Sequence, residues 1–157
     1  MVADHEAILE GAHMPIIFLL LLTFTIPARA QPVRVEILRN PSVTQQNIDA
    51  TICVPGWTKG VRPPSSYTHR IKLELLHELE IPQEQLADYE LDHRIPLSLG
   101  GAPADPRNLE LQPWGEAEPK DRKEACLARA VCAGVLTLEE AQQRIWSDWR
   151  NVGAGCD

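Results

Sequence analysis

Ile71, Leu75 and Leu79 recur every four residues, and Leu76 widens the stripe they make. This is the spacing of one buried helical face. Thr68 can cap a helix over residues 69–80, and Ile81-Pro82 stops it. Upstream, residues 31–50 read as a loose lead-in, with one helical turn at 43–48. Residues 51–54 are short, β-branched and apolar, as in a strand. Residues 61–67 are extended, because a residue before proline avoids the helical region. Downstream, residues 83–87 suit a short helical turn. Partial alternation over 89–95 suits a strand, residues 96–106 a long turn holding Gly100-Gly101, and residues 108–111 a second strand that Pro113-Trp114-Gly115 breaks. Pro119 fits a first helical turn and opens a helix over 120–133, with Ala125, Leu127, Ala128, Val131 and Cys132 available for burial and Gly134 as terminator. Thr137-Leu138-Glu139-Glu140 is a capping box, and the helix it starts runs to Trp149 with Leu138, Ala141, Ile145 and Trp149 on its apolar face.

These elements define an α+β chain: a small β-hairpin followed by a helix, with flanking helices. At 157 residues it is one domain, and its 44% apolar content suffices for a modest core. Thirteen prolines imply many loops. Only 5% of residues are aromatic, so no platform for stacking single strands is evident.

The N-terminus changes the picture of where the chain works. Residues 16–26 are an apolar run too short to span a bilayer comfortably, and Ala28-Arg29-Ala30 matches a small-x-small cleavage site. Residues 1–30 are therefore expected to be a signal peptide, leaving a periplasmic or extracellular product with no stable membrane span. The first thirteen residues carry Asp4, Glu6 and Glu10 and no Lys or Arg, so Met14 is an alternative start. Losing residues 1–30 removes one basic and three acidic residues and moves the net charge from −7 to −5. That acidity sits awkwardly with a nucleic-acid enzyme. Arg94, Arg107, Lys120, Arg122 and Lys123 nevertheless cluster near the hairpin.

All four cysteines follow the cleavage site, and none has zinc-site spacing. In an oxidising compartment they make two disulfides, for which three pairings exist. The pairing taken forward is Cys53–Cys132 with Cys126–Cys156.

The candidate chemistry lies in Leu91-Asp92-His93-Arg94-Ile95-Pro96-Leu97-Ser98-Leu99-Gly100-Gly101, followed by Asn108-Leu109. Asp holds hard cations through oxygen, a neutral His accepts a proton near pH 7, and an Asn side chain can fix an imidazole's orientation. The order Asp-His, Ile-Pro-Leu, Gly-Gly, Asn-Leu and then a Lys-rich helix, over residues 89–124, resembles the HNH (ββα-metal) nuclease motif. A wider stretch from about residue 43 to Trp149 looks like small exported bacterial proteins that carry this motif. It includes Thr51-Ile52-Cys53-Val54-Pro55-Gly56-Trp57 and Val61-Arg62-Pro63-Pro64-Ser65-Ser66-Tyr67.

The resemblance implies a ββα-metal core at about 89–133 within a domain over 51–157, and an endonuclease that cuts DNA or RNA. His93 would be the general base, Asn108 the residue orienting it, and Asp92 a ligand to a divalent ion, Mg²⁺ before Mn²⁺ or Ca²⁺. The helix lacks the usual third-letter His or Asn. Glu118 falls nearest, as a ligand or simply as an acid favoured at a helix N-terminus. Asp121 is a second candidate. Arg62, Arg94 and Lys120 would meet phosphates, and His69, Arg70 and Lys72 could line the same groove. Trp57 and Trp114 are expected to cover the core. The competing expectation is a non-catalytic exported binding module on a degenerate scaffold of this kind. No Gly-x-Ser-x-Gly elbow is present to support an esterase.

Overall fold

The computed structural model describes residues 34–157; the expected signal peptide and its cleavage site lie outside the described residues. Four α-helices and one two-stranded sheet make up the described regular structure, joined by short 3₁₀ turns. They are α1 (Trp57–Val61), α2 (Ser65–Glu78), β1 (Tyr89–His93), β2 (Leu109–Pro113), α3 (Trp114–Cys132) and α4 (Leu138–Asp148). The small α+β class is thus as expected. No described helix is long and apolar enough to cross a membrane.

β1 and β2 pair antiparallel, from Tyr89 opposite Pro113 to His93 opposite Leu109. Two strands alone are marginal in water. This hairpin is held by the helices that pack on it and by its own connection, residues 94–108. Asn108 organises that connection. It is fully buried; its Oδ1 accepts from Ile95 N at 2.8 Å, and its Nδ2 donates to the carbonyls of Ile95 and Ala102, both at 3.0 Å. Gly101 must be glycine, since a Cβ there would collide with the Ile95 carbonyl oxygen and press on Asn108 Nδ2.

Residues 34–50 are not a loose lead-in. Val35, Leu38, Val43 and Ile48 enter the core. Asn40 N donates to Gly100 O at 2.8 Å and Ala102 N to Leu38 O at 2.7 Å, so this segment clamps the Gly-Gly turn from outside. The turn expected at 43–48 forms at Gln45–Ala50 under a Thr44–Asn47 capping box. Residues 51–54 are a turn rather than a strand, because no neighbouring strand offers them ladder partners. Ile52 is buried there all the same.

The helices differ from expectation mainly at their starts. α2 begins at Ser65, directly after Pro64, with Ile71 and Leu76 buried and Leu79 exposed. α3 begins at Trp114, six residues before Lys120, and carries Pro119 inside it. That proline forfeits one backbone bond, to the carbonyl of Gly115. α4 starts at the expected Thr137 capping box and buries Leu138, Ala141 and Ile145. It also buries Gln142, whose Nε2 donates to Leu99 O at 2.8 Å and supports the hairpin connection from behind.

Both disulfides form in the expected pairing, Cys53–Cys132 and Cys126–Cys156. One ties the turn before α1 to the end of α3. The other ties the middle of α3 to the C-terminus.

Candidate functional site

His93 ends β1, and the hairpin connection wraps its ring. Its Nε2 lies 3.0 Å from the Pro103 carbonyl oxygen. A carbonyl only accepts, so Nε2 carries the proton and Nδ1 carries the lone pair. Only 4% of the residue is exposed. Burial pushes the imidazole below its usual range, against the opposing influence of the Pro103 contact and Asp92. The ring is therefore neutral at pH 7, the form that accepts a proton.

Asp92 precedes it. Alternate strand residues face opposite ways, yet both border one small cavity of roughly 140 Å³ because His93 stands at the strand's end. Glu90, Asp121 and Glu124 also line this cavity, together with Arg62. Glu90 and Asp121 are pushed up by burial and then by the charge of Asp92.

Lys120 bonds two members of this acidic group, Asp92 and Glu124. It is 1% exposed and satisfies all three ammonium protons. One goes to Asp92 Oδ2, one to His93 O at 2.8 Å and one to Glu124 Oε1 at 2.7 Å. Its neighbours hold its pKa above the ordinary lysine value despite burial. One ammonium cannot neutralise two carboxylates, and burial pushes Glu124 up to about 7.

This arrangement decides how the expected ion fits. Asp92 Oδ1 already accepts from His93 N at 2.7 Å, so both its oxygens are committed. Glu118, the expected second ligand, has a side chain 82% exposed and paired with Arg122 at 2.6 Å. It does not line the cavity with Asp92. Among the described residues no three His, Cys, Asp or Glu side chains converge as a ligand set. With Lys120 in its seat, a divalent ion at Asp92 does not fit.

Asn108 does not touch the imidazole. Its three side-chain bonds fix the backbone that carries Ile95 and Ala102, so it acts on His93 only through the loop. The expected phosphate contacts also redistribute. Arg94 pairs with Glu110 at 3.5 Å, Arg107 with Asp105 and Lys123 with Asp157 at 3.3 Å, while Lys120 is sealed. Every cation expected near the hairpin is thus matched by a carboxylate.

Two cations without an ion pair among the described residues, Arg62 and Lys72, lie on a different face. Arg62, His69 and Lys72 line a groove of roughly 480 Å³ between the N-terminal half of α2 and the hairpin, and His93 forms part of the same wall. Lys72 Nζ donates only to the Tyr89 carbonyl, at 2.6 Å, so no carboxylate bonds it. Arg62 makes no ion pair among the described residues and borders both the groove and the acidic cavity. Arg70, by contrast, pairs with Glu74 at 2.6 Å and stacks on Tyr67. Trp114 also lines the groove. It is 54% exposed rather than covering the core, and its Nε1 is tied to Ala87 O at 2.8 Å. Trp57 does pack against the core as expected.

Glu90 and Glu124 belong to no motif in the sequence. Lys120 and Glu124 have the spacing of neighbours on one helix face, which is the only local hint of the buried pair. Comparison with protein-family models, curated proteins and solved structures finds no match to this chain.

Proposed function

We propose that this chain is an exported phosphodiesterase that cleaves nucleic acid at His93, as the HNH-type motif implies. The observation that carries the reading is the sharing of one groove by a neutral imidazole and by two cations without an ion pair among the described residues, Arg62 and Lys72, with His69 beside them. Arg62 and Lys72 bind non-bridging phosphate oxygens. His93 Nδ1 takes a proton from water as the water oxygen bonds to phosphorus. The P–O bond to the leaving sugar oxygen then breaks, and that oxygen takes a proton from solvent. The products are a phosphomonoester and a hydroxyl. Arg62 lies nearest the acidic cavity and is the residue placed to offset charge developing at phosphorus. Mg²⁺, Mn²⁺ or Ca²⁺ reaches Asp92 only if Lys120 leaves, so these steps rest on the groove's own residues.

Two disulfides and the Ala28-Arg29-Ala30 site support export to the periplasm or beyond. The test is hydrolysis of a fluorescent oligonucleotide by the purified disulfide-bonded chain, with and without chelator. His93→Ala should abolish cleavage while the melting transition survives, and undiminished cleavage by that variant refutes the assignment.

A second reading has its own observation. A satisfied, sealed Lys120 quenches the acidic centre that an ion-dependent nuclease needs open, which favours a non-catalytic exported binding module on the same scaffold. Oligonucleotide binding without cleavage under any divalent ion would select it.

A further inference from the structure

We propose that the groove between α2 and the hairpin selects single-stranded nucleic acid, with an unpaired base stacked on Trp114 and the backbone running over Lys72, His69 and Arg62 toward His93. This rests on the nucleic-acid reading above and narrows its substrate class.

The indole is the first residue of α3, beyond the end of the hairpin opposite His93. A large apolar ring with over half its surface in water is costly to leave uncovered. Its one polar atom is already satisfied by Ala87 O, which holds the ring in place and leaves it with only an apolar body to offer. Cations without carboxylate bonds lie beside it in the same groove. An aromatic ring beside a cationic track is the composition that holds unpaired strands, since every base has a π-face and only an unstacked one can lend it. A duplex keeps its bases stacked on one another and meets a protein surface chiefly through phosphates and groove edges.

The spacing sets a length. His93 and Trp114 stand at opposite ends of a five-residue strand pair, and four strand steps span about 13 Å. At about 3.4 Å per stacked nucleotide this covers roughly four nucleotides. A dinucleotide therefore cannot engage both ends, and an octanucleotide can.

The experiment measures binding of labelled phosphorothioate oligonucleotides to the full disulfide-bonded chain by fluorescence anisotropy. The probes are dinucleotide and octanucleotide single strands and a blunt duplex of the same sequence. The octanucleotide should bind at least roughly tenfold more tightly than either the duplex or the dinucleotide. Trp114→Leu keeps apolar bulk and loses the ring; it should weaken the octanucleotide by about 5- to 100-fold and leave the duplex unchanged. Trp114→Phe keeps a stackable ring and should stay within a few-fold of the parent, which separates stacking from any structural effect of the lost Ala87 bond. Equal affinity for single strand and duplex, or parental affinity in Trp114→Leu, overturns the inference and leaves the phosphodiesterase reading in place. Failure of every oligonucleotide to bind the folded chain sinks both.

Discussion

Replacing Lys120 by methionine keeps an unbranched side chain one atom shorter and removes its charge and its three donated bonds. In the parent two of those bonds join α3 to the end of β1, through Asp92 and the His93 carbonyl, and the third holds Glu124 one turn along α3 itself. The variant leaves two carboxylates facing each other in a site where each side chain is only 13% exposed. Removing one partner of a buried pair costs about 3–5 kcal/mol, because the other charge stays behind. The remaining water contact of Asp92 and Glu124 argues for the lower end, about 3 kcal/mol. For a domain of this size that is a fall of roughly 10 °C in Tm. Thermal unfolding of the disulfide-bonded chain, followed by circular dichroism at pH 7.5, measures it. Adding Asp92→Asn and Glu124→Gln to the variant should recover most of the loss, since no charge then lacks a partner. A divalent ion supplies the second arm. The parent should show no shift with Mg²⁺, whereas Lys120→Ala frees both charge and space. Should that variant bind Mg²⁺, a concentration ten times its Kd would restore about 1.4 kcal/mol. A Lys120→Met variant that melts within about 2 °C of the parent would refute the claim that this ammonium is the cation of the hairpin–helix junction. A parent stabilised by Mg²⁺ through Asp92 would refute the claim that the ion does not fit.

Glu124 makes stability depend on pH in a direction opposite to most carboxylates. Its folded pKa of about 7 lies above the unfolded value, so between about pH 4.5 and 7 the folded chain keeps a proton that the unfolded chain releases. Stability from this group is greatest at the acid end and falls as pH rises through 7, by on the order of 3 kcal/mol in all. His93, held below its ordinary value by burial, acts in the other sense, so the difference between parent and Glu124→Gln across pH 5–8 isolates the carboxylate; a flat difference contradicts the shift. Gly101→Ala should destabilise by about 3 kcal/mol, since the new methyl meets the Ile95 carbonyl; denaturant unfolding that shows less than about 1 kcal/mol would place the Gly-Gly turn differently. Removing the Cys126–Cys156 bridge, which spans 30 residues, should cost about 3.5 kcal/mol by loop entropy, and removing Cys53–Cys132, which spans 79, about 4.5 kcal/mol. Paired Cys→Ser variants read by urea titration test that order, and the reverse order would mean that local packing outweighs loop length.

Several parts of this protein can be read from order along the chain, because the interactions that make them are local. The Thr137 capping box joins residues three apart, and α4 starts where it stands. Alternation over residues 89–93 and the Gly-Gly turn mark the hairpin, and Asp92 and His93 fall at the end of its first strand. Glycine at 101 and asparagine at 108 look like a turn and a polar site residue; only the folded connection reveals that one exists to make room for the other. Charge is where local reading stops. A lysine in a helix is usually solvated, and no periodicity distinguishes Lys120, buried under β1, from Lys123 nearby on the same helix. Arg62, His69, Lys72 and Trp114 come from separate segments, and nothing in their order predicts a shared wall with His93. Hydrophobic pattern and capping act over a few residues and so survive in one dimension. Whether a cation is neutralised, sealed or left free depends on which distant carboxylate folds against it, and that is set when α3 packs on the hairpin and α2 closes over its other side.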